Sequence, residues 1–482
     1  MSLVKKAVFG TSWTAGSMVV QVVVQLLRLS ILTRFLSKTD FGLVAIVTLV
    51  LGFTHIFTDL GISTVLFSRN DITKKEYSSL YWVSFLSGVF LYLLLLLFTP
   101  LIAGFYDLNE LRSLIPVMGL DLIIATAGRQ FKVFKQKELR FKEIAIIEII
   151  AALVSLGLAV YLAANNYGVY SLVYSTILNS LLSSTLLILT SIQSHPISFY
   201  LNIKENKSLY KVGLYQTGAQ ILDFVSSQLD IIIIGKIMGP ADLGVYNLIK
   251  QLVLRPYSLL NPIIQNVGIP ILVKLRNDAR EFNALFLRLL KAVGFISFPV
   301  YALIALFAQE VLLILYGKSY VTAALPLQVL CIWGGVMSLL GSASILVIVT
   351  GKTNLGFNWT IFRVITNPVF VMIGGIWGVL GISVGQAICI VSFLFLYWFF
   401  FIKRVVNISL KSYSSSFLSL LAITCLAFIA GIFIKMMAGN WMNEYVADTI
   451  VLFVFGLIYL GLNKSFLQES YSLFAARSGN TK

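Results

Sequence analysis

Apolar runs of about twenty residues recur from one end of this 482-residue chain to the other. A helix needs that length to cross the roughly 30 Å hydrocarbon layer of a bilayer. Backbone inside lipid must satisfy its own hydrogen bonds, so only helices or closed barrels can span it. The runs are continuous and not alternating, so an all-α integral membrane protein is predicted. About fourteen transmembrane helices follow from the run lengths. They lie near 8–33, 42–67, 79–101, 113–131, 143–164, 168–192, 211–235, 243–270, 285–308, 322–350, 355–377, 379–402, 412–435 and 446–463. The boundary between the eleventh and twelfth rests on the turn Trp377-Gly378-Val379-Leu380-Gly381. Only 12% of the residues are charged, about half the share usual in soluble proteins, and mean hydropathy is +0.91.

A second pattern divides the chain. Shifted by 202 residues, Thr14, Met18, Gln21, Gln25 and Arg28 fall on Gln216, Gln220, Asp223, Ser227 and Asp230. The 4-3-4-3 spacing puts each set on one helical face. Asp40 and Gly42 fall on Asp242 and Gly244 at the same offset. The polar stripe is thus expected to hold Gln21, Gln25, Gln216, Gln220, Ser227 and, on the eighth span, Gln251. Two related halves, 1–200 and 205–405, each contain six spans. Six is even, so both halves enter the membrane from the same side and are expected to be parallel repeats about an axis along the membrane normal. Residues 411–463 supply two additional helices, and 464–482 a polar, frayed cytoplasmic tail. Polar stripes facing a wet space are the layout of a transporter.

The formal net charge is +16. Its placement speaks for topology and not for nucleic acid. With both termini in the cytoplasm, the outer loops carry Arg34, Lys38, Arg112, Lys236, Lys318 and Lys435, and most other Lys and Arg fall in inner loops such as Lys132–Lys142. This is a positive-inside bias, and it predicts a multi-pass protein with an even number of spans and both termini in the cytoplasm. The first run contains Gln21, Gln25 and Arg28, which marks a retained span and not a cleaved signal. Cys331, Cys389 and Cys425 fall inside spans, so neither a disulfide framework nor a metal site is expected. No Walker loop, nucleophile–base pair or paired catalytic carboxylates occur, so no enzyme and no cofactor are expected. Energy must come from an ion gradient, the membrane potential or consumption of product. A coupling ion, Na+ or H+, is left open.

Ionisable residues within spans are costly and mark function. Arg255 lies in span 8 with Gln251, Ser258 and Gln265 on one face, and Pro256 and Pro262 are expected to interrupt that helix. Arg28, in span 1, lies in the mirrored helix pair of the first half. Arg363 lies in span 11 with Asn367 one turn on, and Lys250 sits on a different face from Arg255. A guanidinium grips phosphate bidentately, so Arg255, Arg28, Arg363 and Lys250 are the candidates for an anionic, pyrophosphate-like group. The competing reading is that each snorkels or pairs internally. Asp223 and Asp230 share a face of span 7 and could couple an ion or act as a gate. Asp230 could meet Arg28 across the repeat, or the pair could be merely static. Asp59 near the inner end of span 2 and Asp121 in span 4 could bind a coupling ion or only hydrogen-bond a neighbour. His55 reads as a satisfied structural group. Arg129, Glu143 and Glu148, near the inner interface, are assigned no role.

Several short segments resemble a known family: Leu36-Ser37-Lys38-Thr39-Asp40-Phe41-Gly42, Thr58-Asp59-Leu60-Gly61-Ile62, Leu80-Tyr81-Trp82, Gln136-Lys137-Glu138-Leu139-Arg140-Phe141, Tyr246-Asn247-Leu248 and Leu260-Asn261-Pro262-Ile263-Ile264. They look like the polysaccharide-transport branch of the MOP/MATE-like superfamily, and especially like Wzx-type flippases of the colanic-acid and teichuronic-acid exporter group. The resemblance implies a V-shaped MATE-like arrangement of two six-helix bundles, with a cavity lined by spans 1, 2, 7 and 8. It also implies flipping of an undecaprenyl-pyrophosphate-linked oligosaccharide to the periplasmic leaflet by alternating access, for assembly of lipopolysaccharide O-antigen, capsule or exopolysaccharide. Expected partners are the polyprenyl-linked oligosaccharide, membrane lipids and the polymerase and export machinery. The alternative is an ion-coupled multidrug or small-molecule antiporter of the same fold. Such antiporters usually have twelve spans and an acidic cavity. Span 2 departs from the lipid II flippase pattern, because its polar face offers Asp59 and His55 and no arginine.

Overall fold

The structure, a computed structural model, describes residues 3–59, 61–63, 66, 72–202, 207–438, 443–464, 466 and 468. The side chains of 3–12 and 207–216 lie outside that description. The tail expected after 464 is likewise almost wholly outside it. The described elements are helical throughout. In chain order they are α1 (Leu3–Leu32), α2 (Lys38–Asp59), α3 (Lys74–Tyr106), α4 (Leu111–Lys137), α5 (Phe141–Ala164), α6 (Tyr170–Leu189), α7 (Lys207–Ile237), α8 (Pro240–Lys274) and α9 (Ala279–Leu306). There follow α10 (Ala308–Leu315), a 3-10 turn (Lys318–Ala323), α11 (Ala324–Ala343), α12 (Ile345–Thr350), α13 (Thr353–Gly375) and α14 (Gly378–Tyr397). A π-helical turn (Trp398–Ile402), α15 (Lys403–Val406), α16 (Leu410–Ala438) and α17 (Glu444–Leu462) complete the order.

Among the described residues, eleven helices are long and apolar enough to cross a membrane. α7, α8 and α13 are helical but outside that group. They are the helices that carry Asp223, Asp230, Lys250, Arg255 and Arg363. Polarity that weakens a span by hydropathy is thus concentrated where candidate chemistry lies.

Local chemistry sets the ends. α3 begins at a capping box, with Thr73 Oγ1 accepting from the Glu76 amide and the Glu76 carboxylate accepting from the Thr73 amide at 2.8 Å. This satisfies two amides that a helix start leaves open. Asp278 and Asn443 cap α9 and α17 in the same sense. The turn expected near Trp377 is present. Gly378 has φ +71°, and a Cβ on Gly374 would stand 2.3 Å from the Gly381 carbonyl oxygen. Only glycine permits the two strands of that turn to approach so closely.

One expectation is corrected here. Pro256 and Pro262, with Pro270, lie inside an unbroken α8. A proline removes one backbone donor and pushes on the preceding turn. The Tyr301 hydroxyl donates to the Val253 carbonyl at 2.9 Å, beside Pro256. The carbonyl that loses its donor to Pro256 is that of Leu252, and the hydrogen bond from Tyr301 reaches the next carbonyl along, so a neighbouring helix bonds the backbone where the proline weakens it.

The chain forms two compact units. One comprises Met1–Ile249, Leu312–Ala323 and Thr360–Ile382. Within it α1 packs on α5, α3 on α4, α4 and α5 on α6, and α2 on α4 and α7. Hydroxyls are buried in it, among them Thr58, Ser84, Thr126 and Ser175. Lipid is as apolar as a leucine side chain, so burying leucine drives no helix association, and close packing and interhelical hydrogen bonds take over. Lys135, 1% exposed, is neutralised by Glu143 at 2.6 Å.

The other unit comprises Lys250–Val311, Ala324–Trp359 and Ser383–Lys482. Its main core gathers Phe282, Phe286, Leu339, Phe401, Tyr413 and Phe417. A smaller core of Leu306, Ala427, Val451, Phe455 and Tyr459 holds α16 and α17 on α9. Beside it the Lys435 ammonium meets Glu310, Asp448 at 3.3 Å and the Leu306 carbonyl at 3.3 Å.

Candidate functional site

Arg28 stands on the face of α1 that the 4-3-4-3 pattern marks. Its Nη2 donates to the Leu172 carbonyl at 3.0 Å, Ser175 Oγ at 2.8 Å and Thr176 Oγ1 at 3.0 Å, all on α6. These partners are neutral, and its Nε is buried without an acceptor. The guanidinium is therefore oriented but keeps its full charge, with no carboxylate bonded to it among the described residues. The pairing of Arg28 with Asp230 does not occur in this structure. Asp230, 1% exposed, accepts from the Tyr246 hydroxyl at 2.6 Å and from the Ile231 amide at 2.9 Å. A phenol on the next helix reaches that carboxylate within the α7–α8 hairpin, and the hydroxyls of α6 hold Arg28.

Two other candidates meet each other. Arg363 Nη2 lies 3.1 Å from Asp223 Oδ1, in a pair whose side chains are 36% and 62% exposed. Asn367, one turn further along α13, donates to the Ser226 carbonyl at 3.1 Å. So a proposed anion-binding group and a proposed gate group form one accessible ion pair. In the other unit Arg255 Nη2 donates to Gln251 Oε1 at 3.3 Å, which bears out their shared face. Ser258 turns to its own helix, donating to the Arg255 carbonyl at 2.8 Å. Lys250 is buried, at 5% exposure.

The polar stripe is unevenly used. Gln25, Gln220 and Ser227 are exposed, and Ser227 donates to the Phe224 carbonyl at 2.9 Å. Gln216 lies outside the residues whose side chains are described. Gln21 donates to Glu148 Oε2 at 2.9 Å, and Lys132 stands 2.6 Å from Glu148 Oε1. These three line a polar cavity of about 380 Å3 together with Arg129, Asn179 and Ser183. A separate apolar cavity of about 490 Å3 lies among α2, α3 and α7, where Phe53, Phe98 and Phe224 line it.

Sequence reasoning did not bring together His55, Asp59, Asp121 and Arg129. His55 is not isolated among apolar groups. Its Nε2 is 2.9 Å from Asp121 Oδ2, and Arg129 Nη2 is 3.4 Å from its Nδ1. Arg129 also donates to Thr58 Oγ1 at 2.8 Å and stands 3.8 Å from Asp59 Oδ1, and Ser63 donates to Asp59 as well. The signal was present as spacing. His55, Thr58 and Asp59 share a face of α2, and Asp121 and Arg129 lie about two turns apart on α4. Only the contact of α2 with α4 joins the two sets. No group of three or more His, Cys, Asp or Glu fit to hold a metal ion is found among the described residues.

Comparison with known proteins adds relatives to this geometry. Residues 31–325 match the family described as polysaccharide biosynthesis protein. The chain is 27% identical over 410 residues to the teichuronic acid biosynthesis protein TuaB of Bacillus subtilis, covering 84% of this chain and 81% of that one. It is 24% identical over 414 residues to the lipopolysaccharide biosynthesis protein WzxC of Escherichia coli, covering 86% and 84%. In fold it is similar to the lipid II flippase MurJ in an inward closed conformation, with a TM-score of 0.75, 14% identity and coverage of 96% of this chain and 100% of that one. It is also similar to an inward-facing multidrug resistance MATE transporter of the MOP superfamily, with a TM-score of 0.59, 16% identity and coverage of 85% and 95%.

Proposed function

Since this chain belongs to the polysaccharide biosynthesis protein family, we propose that it is a flippase for a lipid-linked oligosaccharide used in surface polysaccharide assembly. The load is an undecaprenyl-pyrophosphate-linked repeat unit, moved from the cytoplasmic to the outer leaflet of the bacterial inner membrane by alternating access. Fourteen membrane helices, two parallel repeats of six and a further pair, carry this movement, and both termini face the cytoplasm. The names of TuaB and WzxC support the pathway, and the fold shared with MurJ suits the movement.

One observation carries the head-group part of the reading: Arg28 is held by three neutral acceptors and left electrically uncompensated. A fixed guanidinium with spare charge is prepared for a phosphate oxygen. Arg255, oriented by Gln251, and Lys250 are the cationic candidates of the other unit. Arg363 contributes only when the anion displaces Asp223. In this reading Asp223 acts as a counter-ion gate, Asp230 and Asp59 have no direct contact with the load, and the polyprenyl tail stays in lipid. The small-molecule antiporter alternative rests on likeness of fold alone. Polymerase and export machinery would take up the product.

The test is a strain lacking this chain, probed for the leaflet in which the lipid-linked oligosaccharide collects. Accumulation on the cytoplasmic side, with loss of surface polymer restored by the intact gene, is expected. An unchanged lipid-linked pool with unchanged polymer would overturn the reading.

A further inference from the structure

The His55 cluster takes no part in the head-group reading, and its hydrogen bonds specify more than a structural contact. Arginine has only N–H donors. With Arg129 Nη2 directed at Nδ1 of His55 at 3.4 Å, that nitrogen must be the acceptor. The ring's single proton then sits on Nε2, facing Asp121 Oδ2 at 2.9 Å. A second proton could go only to Nδ1, where its N–H would point at the guanidinium. The two donors cannot both occupy that lone pair.

The charges point the same way. Asp59 and Asp121 carry two negative charges against the one positive charge of Arg129, so the cluster is neutral only when His55 holds a second proton. The elements around it do not alter that sum. α3 offers hydroxyls, Ser84 and Ser87, both donating to the Thr58 carbonyl. α7 presents Phe224 to Phe53, and the neighbouring Asp223 is paired with Arg363. Along α4, Lys132 is paired with Glu148 of α5, which also holds Gln21 of α1. Asp121 Oδ1 is buried and accepts no hydrogen bond, so the carboxylate has capacity to spare. The His55 side chain is 25% exposed, so the ring is not sealed within the protein. A metal cation suits the site less well than a proton, since the Arg129 cation already stands 3.4 Å from Nδ1 and 3.8 Å from Asp59 Oδ1.

We propose that His55 is a proton-binding site at which the proton and the Arg129 guanidinium exclude each other on Nδ1, so that protonation turns Arg129 away from the ring. The polar cavity that Arg129 already lines with Gln21, Lys132 and Glu148 would receive it. Each proton taken up thereby removes the hydrogen bond between Arg129 of α4 and His55 of α2. Use of that step to drive transport would rest on the flippase reading, but the binding itself does not.

The chain has two histidines, which makes the test direct. Full-length protein labelled with 15N-histidine is placed in lipid nanodiscs, and the ring nitrogens are followed by NMR from pH 8 to pH 5. Spectra of His55→Gln and His195→Gln assign the two sets of signals, and either variant alone suffices if the other does not fold. At pH 8 the expected His55 state has a proton on Nε2 and a bare, hydrogen-bonded Nδ1. At the acid end both nitrogens are protonated. In Arg129→Gln the guanidinium is gone, so the Nδ1 signal leaves its hydrogen-bonded position and the preference for a proton on Nε2 relaxes. A proton on Nδ1 at pH 8 in the intact protein, an Nδ1 signal unaffected by Arg129→Gln, or a ring that responds to Na+ at constant pH in place of H+ would each overturn the proposal. None of these readings requires transport, so a failure of the flippase assignment would leave them untouched.

Discussion

Gly42 of α2 and Gly244 of α8 lie reciprocally against one another's helix starts. A Cβ on Gly42 would stand 1.8 Å from the Pro240 carbonyl oxygen, and one on Gly244 would stand 2.0 Å from that of Lys38. Lys38 and Pro240 are themselves separated by the offset of 202 that relates the two glycines, so the contact repeats with the halves exchanged. Arg34 donates to the Leu313 and Ile314 carbonyls, and its counterpart Lys236 pairs with Asp107 at 2.7 Å, just past the end of α3.

Gly42→Ala is expected to force the helix starts apart. Overpacking of this kind costs about 1–3 kcal/mol, so Tm in detergent should fall by several degrees and polymer export should drop with it. Gly244→Ala should do the same, and the double variant less than the sum, because the two methyl groups disturb one contact. An unaltered Tm in both single variants would contradict the close approach.

Arg28→Ala should abolish export while the protein still inserts and folds. Truncating one partner of a charged contact costs about 2–5 kcal/mol, equivalent to at least tenfold in head-group affinity. Arg28→Lys should recover little, since an ammonium lacks the planar fork. The measurement is surface polymer per amount of membrane-inserted protein; normal export from Arg28→Ala would remove this residue from the site.

The Asp223–Arg363 pair is exposed, and exposed pairs contribute about 0–1 kcal/mol. Asp223→Asn should therefore leave Tm almost unchanged. It should also tighten binding of soluble pyrophosphate, because Arg363 loses its competing carboxylate, and Arg363→Gln should weaken the same binding. Calorimetric titration with pyrophosphate reads both, and equal affinities in the two variants would contradict the gate role.

Lys435 is the charged tie between α16, α17 and the end of α9. It is 22% exposed, faces two carboxylates and lies 4.2 Å above the Phe307 ring. Removing one partner of a buried ion pair costs about 3–5 kcal/mol, and this partly exposed cluster should lose less than that. Lys435→Met should lower Tm, and adding Glu310→Gln and Asp448→Asn should restore part of it. Thermal unfolding of the single and triple variants measures the difference.

Much of the architecture was legible in the order of residues. Continuous apolar runs require helices in lipid, the 4-3-4-3 stripe put Arg28 on a helical face, and the four-residue spacing of Gln251 and Arg255 put those two on another. Wherever the expectation concerned what a side chain bonds to, it depended on contacts distant in sequence. Arg28 was expected near Asp230, but hydroxyls of α6, more than 140 residues away, hold it. His55 was read as a lone structural group because Asp121 and Arg129 are 66 and 74 residues from it. Pro256 was read as a break, yet Tyr301 supplies a hydrogen bond beside it.

What the sequence by itself determined is the helical, membrane-spanning class and the set of costly charges within spans. These follow from local periodicity and from the absence of water to bond an exposed backbone. Tertiary structure alone decided which charges are compensated. Arg363 is neutralised by Asp223, Lys132 by Glu148 and Lys435 by two acids, whereas Arg28 is only oriented. The physical reason is that a charge in low dielectric is governed by groups within a few ångströms of it, and helix packing, not sequence distance, brings those groups near.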